Sequence, residues 1–129
     1  MPTRDHFERI AEFKERLSDL PTARLIQRMT SGALYKEAAI ALRELIKERS
    51  DNAERATIYV ALADEGVDVW RPVKAAVLGD SIFQILSPND SETEQWQFPS
   101  GAVVRCAERN FADGESGFAA IELAYVPAA

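Results

Sequence analysis

Apolar and polar positions change their spacing once along the chain, and that change divides it. Up to about residue 50, apolar side chains recur every three or four positions; from Arg55 they alternate with polar ones. The first spacing builds one stripe of a helix, the second one face of a strand. Phe7, Ile10, Phe13 and Leu17 predict a first helix from about Thr3 to Leu17. Thr3 serves as its cap, Asp5 complements the dipole, and Glu12 faces Arg16 at i,i+4. That apolar stripe is either a core face or a docking face for a partner or a second copy. Asp19-Leu20-Pro21 breaks the helix. Ser18 or Asp19 is placed to cap a short second one with Pro21 in its first turn, whose apolar side is Ala23, Leu25, Ile26 and Met29. Gly32 is suited to a left-handed C-cap. A third helix, from about Tyr35 to Arg49, carries Ala38, Ala41, Leu42, Leu45 and Ile46. Ser50 to Glu54 reads as a polar linker, which sets the expected domains at 1–54, helical, and 55–129, stranded.

Past the linker the chain is organised around Gly66 to Leu86. Val67, Val69 and Val73 alternate with Asp68, Trp70 and Pro72. The pattern predicts a long strand with the valines inward and Trp70 outward, running on through Val77. Pro72 has no N–H to donate and marks an edge, a bend or a bulge. Leu78-Gly79-Asp80 reads as the turn into a strand holding Ile82, Phe83 and Leu86. Upstream, Ile58, Val60 and Leu62 alternate with Thr57, Tyr59 and Ala61. Downstream come a polar acidic loop over 87–94, a short extended piece with Trp96 and Phe98, and a turn at Pro99-Ser100-Gly101. A strand with Val103, Val104 and Cys106 follows, then the turn-rich NFADGESG, then a last strand from Phe118 to Val126 with Ile121, Leu123 and Tyr125 on one face. Glycines 66, 79, 101, 114 and 117 all fall at expected connections. Five strands, one long and bent, joined by short turns, predict an α+β chain: N-terminal helices packed on a five-stranded SH3-like antiparallel β-barrel.

Two stretches resemble known modules. TARLIQRMTSGALYKEAAIALRELIKERS is similar to a short helical hairpin of many small bacterial proteins, through Leu25, Ser31, Gly32, Leu34, Glu37, Ala38, Ala41, Leu42 and Leu45. Tyr35 stands where that hairpin usually has a capping Thr. The resemblance implies a packing or interaction module. The order of features in the second half is similar to Tudor and related SH3-like modules: Gly66, then Val67, Val69 and Trp70, the turn at Gly79-Asp80, and Pro99 and Gly101 before Val103 and Val104. The region also resembles small bacterial proteins with VWRPV and FP-x-G-x-VVRC segments. These likenesses imply binding rather than catalysis and, by analogy with Tudor modules, an aromatic cage for a cationic side chain.

Charge sharpens the picture. The net charge is −6, but residues 1–55 hold eleven Lys/Arg against ten Asp/Glu, while residues 56–129 hold four against eleven. A face that neutralises phosphates has the opposite sign, so nucleic acid and anionic membranes are not expected partners. No apolar run approaches the roughly 20 residues of a membrane span, and the charged start is not a secretory signal. With a single cysteine, Cys106, no internal disulfide forms, and a cytoplasmic setting is expected.

Candidate chemistry is sparse. His6, the only histidine, reads as a solvated helix residue, and Cys106 as a buried, inert thiol. One Cys and one His do not make a zinc site, and no cofactor is expected. Asp64, Glu65 and Asp68 surround one turn, and Asp90, Glu92 and Glu94 line one loop. Such carboxylates either hold a cation or do acid–base work, or they form a solvated face. The aromatic residues Tyr59, Trp70, Trp96 and Phe98 are expected near one another on the barrel. There Trp70, beside Arg71 and the carboxylates Asp64 and Asp68, either forms a binding face or is covered by the helices. The expectation is a non-catalytic protein-binding module using this aromatic and acidic face. One alternative is a small acidic immunity or inhibitor protein steered to a basic partner. Another is an enzyme or a small-molecule or cation binder with an acidic cleft. Self-association through the helices is a further expectation.

Overall fold

In the computed structural model, which describes residues 4–31, 35–63, 69–89 and 93–127, three helices precede five strands and the class is α+β. The chain divides into two compact units, Met1–Asn52 and Ala53–Ala129. Among the described residues no helix is long and apolar enough to cross a membrane.

The helical unit holds α1 (Arg4–Leu17), α2 (Thr22–Thr30) and α3 (Lys36–Asn52). Ile10 and Leu17 of α1 are buried, as are Leu25 and Ile26 of α2 and Ala41, Leu42, Leu45 and Ile46 of α3. Phe7, expected on the same stripe as Ile10, is 61% exposed. The start of α2 differs from the expected cap. Pro21 itself is the N-cap, extended at ψ 152° and without a side-chain cap bond. Ser18 instead turns back, its hydroxyl donating to the Glu15 carbonyl at 2.8 Å. The expected caps Thr3 and Gly32 lie outside the described residues. The polar stretch read as a linker is helical through Asn52, because its side chains serve the helix. Lys47 pairs with Asp51 at i,i+4, and Asn52 donates to the Glu48 carbonyl at 2.9 Å. Ser50 is buried on the inner stripe. His6 is not a freely solvated side chain either. Its Nδ1 lies 3.3 Å from Glu37 Oε1, with the two side chains 18% and 21% exposed. Glu37 is held below the usual carboxylate range, first by its own backbone N–H at the start of α3 and then by His6.

The second unit is one sheet of β1 (Arg55–Ala61), β2 (Trp70–Gly79), β3 (Ile82–Ile85), β4 (Val103–Asn110) and β5 (Ser116–Tyr125). Each strand pairs antiparallel with the next, and β5 meets β1 to close a ring. The sheet is antiparallel between successive strands as expected, and the closing pair, Tyr59 with Ala119, is parallel. Parity requires it: strands that reverse at every turn leave the first and fifth pointing the same way. The interior is filled by Ile58 and Val60 of β1, Val73 and Ala75 of β2, Phe83 and Ile85 of β3, Val104 and Cys106 of β4, and Ala120 of β5. Burial pushes the Cys106 thiol up to about 12, so it is neutral and unreactive.

The central hairpin differs in detail from its sequence pattern. The strand begins at Trp70; Val69 precedes it and is 37% exposed rather than inward, and Val67 lies outside the described residues. Pro72 sits where β2 is paired with β1 alone, since pairing with β3 begins only at Ala75. The register slips between Val77 and Gly79, so Gly79 still pairs with Ile82 and the reversal falls at Asp80-Ser81. Ser81, not Gly79, takes the left-handed conformation, at φ 63°. In β5 the register slips twice, skipping Ala124 and Ile121. Bulges there break the expected common face of Ile121, Leu123 and Tyr125 and leave Ile121 and Leu123 exposed.

Candidate functional site

The β1–β2 register sets Tyr59 opposite Pro72 and Ala61 opposite Trp70. Ile58, Val60 and Val73 point inward, so Tyr59, Ala61 and Trp70 lie on the outer face of the ring. On the other side of Tyr59 runs β5, with Gly117 two residues before the pairing residue Ala119 and therefore on the same face. Gly117 was expected at a connection; it lies inside β5. Its role is close approach. A Cβ added there would come within 2.7 Å of Tyr59 Cε2 and 3.6 Å of Phe111 Cε2. The bare backbone lets Phe111, just past the end of β4, lie against Tyr59 at 4.6 Å between ring centroids and against Trp70 edge-on at 5.6 Å.

The β4–β5 turn holds Phe111 in place and supplies the rim. The Phe111 N–H donates to the Glu115 carbonyl at 2.7 Å, and the Gly114 N–H to the Phe111 carbonyl at 3.0 Å. Gly114 takes φ 89°, open to glycine without strain, and Asp113 Oδ1 accepts from the Glu115 N–H at 3.0 Å. The result is a hollow of ≈ 230 Å³ lined by Tyr59, Trp70, Phe111, Ala112, Asp113 and Glu115. Its walls are aromatic and its rim carries two carboxylates. Above the Trp70 ring, 4.9 Å from the centroid, sits the guanidinium carbon of Arg109. Trp70 Nε1 is buried and meets no acceptor among the described residues.

The aromatic residues expected together are split between two faces. Tyr59 and Trp70 share the outer groove. Trp96 packs against the ring interior and Phe98 is part of that interior. Arg71 pairs across the ladder with inward-facing Val60, so it points away from its neighbour Trp70. Its guanidinium forks onto the Glu94 carboxylate, with Nε 3.1 Å from Oε1 and Nη2 on Oε2. Trp96 Nε1 donates to Glu94 Oε1 at 3.1 Å. The segment is tied to β1 by the Gln97 N–H to the Ala61 carbonyl at 2.8 Å. Arg71 is therefore part of a structural clasp and not of the groove. Asp64, Glu65 and Asp68 lie outside the described residues. Among the described residues no cluster of three or more His, Cys, Asp or Glu side chains is arranged to hold a metal ion. Phe111 and Arg109 escaped the sequence reading. The only signal was an aromatic residue inside the polar run NFADGESG.

The clasp has a pH signature. The Arg71 fork, and then the Trp96 N–H, hold Glu94 below its ordinary 4.5. A carboxylate lowered on folding contributes its full stability above the unfolded value and loses it as pH falls through the lower folded value. The melting temperature of wild type should therefore exceed that of Glu94→Gln at neutral pH, and the gap should close as pH falls through the range below 4.5. A gap unchanged over that range would mean that the charge of Glu94 contributes nothing.

Comparison of the chain with protein-family models, with curated proteins and with solved structures finds no match.

Proposed function

We propose that the chain is a non-catalytic protein-binding module: the closed ring is an SH3-like barrel, and its recognition face is the outer groove of Tyr59, Trp70 and Phe111. The observation that carries this reading is the groove itself, in which Phe111 touches the rings of both Tyr59 and Trp70 beside two rim carboxylates. Aromatic walls supply contact area at little entropic cost, and Trp and Tyr are enriched among residues that dominate interface energies. The partner is basic. Residues 56–129 carry four Lys/Arg against eleven Asp/Glu, a field that speeds the encounter with a positive surface. A small acidic inhibitor or immunity protein that neutralises a basic enzyme is one form this role takes.

The test compares tagged wild type with Trp70→Ala in cell extract, with cooperative melting of both proteins as the check on folding. The wild type should retain a basic protein that raised salt releases, and the purified pair should bind about tenfold more weakly when Trp70 is removed. Equal retention of the same protein by both would eliminate the groove as the recognition face.

A further inference from the structure

We propose that a hollow beside α1 docks an acidic helix of a partner, one whose carboxylates stand two turns apart with an uncharged side chain between them. This surface belongs to the helical unit and stands independently of the groove on the strand unit. Among the described residues Arg9, Glu12, Phe13, Arg16, Tyr35 and Glu37 line a hollow of ≈ 350 Å³. The first four are spaced i, i+3, i+4 and i+7 on α1, which makes one straight face two turns long. Phe13 is its half-buried apolar centre, between the two arginines, and Tyr35, 80% exposed, adds a second ring.

Charge selects the occupant. Glu37 is already engaged by His6 at 3.3 Å. Arg9 and Arg16 make no hydrogen bond or ion pair among the described residues, and Glu12, one turn from each, closes a pair with neither. Two open guanidinium forks against one open carboxylate leave this face positive, and such forks match carboxylates in a bidentate fit. Spacing then selects the form. Seven residues of helix separate Arg9 from Arg16 by about 10.5 Å along the axis. A partner helix repeats that distance between its own residues i and i+7, both on one face. An extended chain does not, because its same-face residues stand about 7 or 13 Å apart. Glu12, between the arginines, repels a third carboxylate, so the partner's middle position is apolar and rests on Phe13, the arrangement of a helix laid in a groove.

The probe is a capped, alanine-rich helical peptide of about 20 residues with glutamates at i and i+7 and leucine at i+3, followed by anisotropy against the whole chain. At 0.1 M salt the Debye length is about 10 Å, which screens the chain's net charge of −6. Arg9→Gln and Arg16→Gln should each weaken binding about two- to fivefold, and together about tenfold. Both sites are exposed, and unchanged melting by far-ultraviolet circular dichroism checks the helices. Arg28→Gln removes the same charge from α2, outside the hollow, and should change nothing. A peptide of identical composition with its glutamates at i and i+5, on different faces, should bind about two- to fivefold more weakly, one contact being lost. Failure of wild type to bind the first peptide overturns the proposal. Equal binding of the two spacings, or an equal loss from Arg28→Gln, overturns it too by reducing the effect to net charge. A wild-type dimer in sedimentation that the paired Arg9→Gln and Arg16→Gln substitutions dissociate, with the peptide left unbound, would assign the face to a second copy and overturn it as well.

Discussion

Ile58→Ala should destabilise the strand unit by about 2–5 kcal/mol. The side chain is fully buried, at 0% exposure, inside the ring on β1. Removing its methyl and methylene groups costs the transfer free energy and leaves a cavity that a closed sheet collapses around poorly. Domains of this size hold about 5–15 kcal/mol in total, so the loss is a large share. Urea denaturation followed by tryptophan emission reads it directly. The chain's two tryptophans, Trp70 and Trp96, both lie in the strand unit, so the helical unit is silent in this signal. The midpoint should fall with little change in slope. Thr57→Ala, next door on the same strand but exposed, should shift stability by no more than about 0.5 kcal/mol. Comparable losses from both would mean that β1 is not an inward-packed member of the ring.

Gly117→Val should both destabilise the fold and close the groove. Glycine in the middle of a strand is ordinarily a weakness, and valine, with its strand preference, ordinarily an improvement. Here the sign reverses, because the new Cβ falls 2.7 Å from the Tyr59 ring. The ring must swing away, and Phe111 loses the surface it rests on; overpacking of this kind costs about 1–3 kcal/mol. The proof lies in a second substitution. With Tyr59→Ala in place, the overlap is gone and only the ordinary contact with Phe111 at 3.6 Å remains, so Gly117→Val should become neutral or stabilising. If the penalty is the same in both backgrounds, contact with Tyr59 is not its cause. Partner binding should fall in Gly117→Val alongside the stability loss, because the groove exists only while Tyr59 and Phe111 hold their contact.

What could be read beforehand was whatever depends on local spacing. The alternation Ile58, Val60, Leu62 marks the buried positions along and just past β1 because one face must be apolar throughout. The alanines and leucines of α3 mark its stripe for the same reason. What depends on where two strands meet was not legible. Val69 continues the valine alternation perfectly, yet its fate was decided by the start of pairing at Trp70. The pattern places the turn at Leu78-Gly79-Asp80, but a slip in register between Val77 and Gly79 moves it onward and gives the positive φ to Ser81. The candidate site was half visible. Tyr59 and Trp70 emerge on one face from parity along paired strands. Trp96 and Phe98 belong to a segment reached through a loop, and loops do not conserve parity. Phe111 reaches the groove by way of a turn whose shape rests on Gly114 and the Asp113 carboxylate, a tertiary destination that no periodicity announces.

The parallel seam between β1 and β5 has an architectural consequence. Two neighbours that run the same way begin at the same rim of the cylinder, so the backbone enters this unit at one rim, at Arg55, and leaves at the other, past Tyr125. Stitching that exit back to that entrance, as a circular permutation would, takes a bridge as long as β5 itself, roughly 33 Å for ten extended residues. A short glycine link of the kind that reconnects an even-numbered meander would tear the seam open instead.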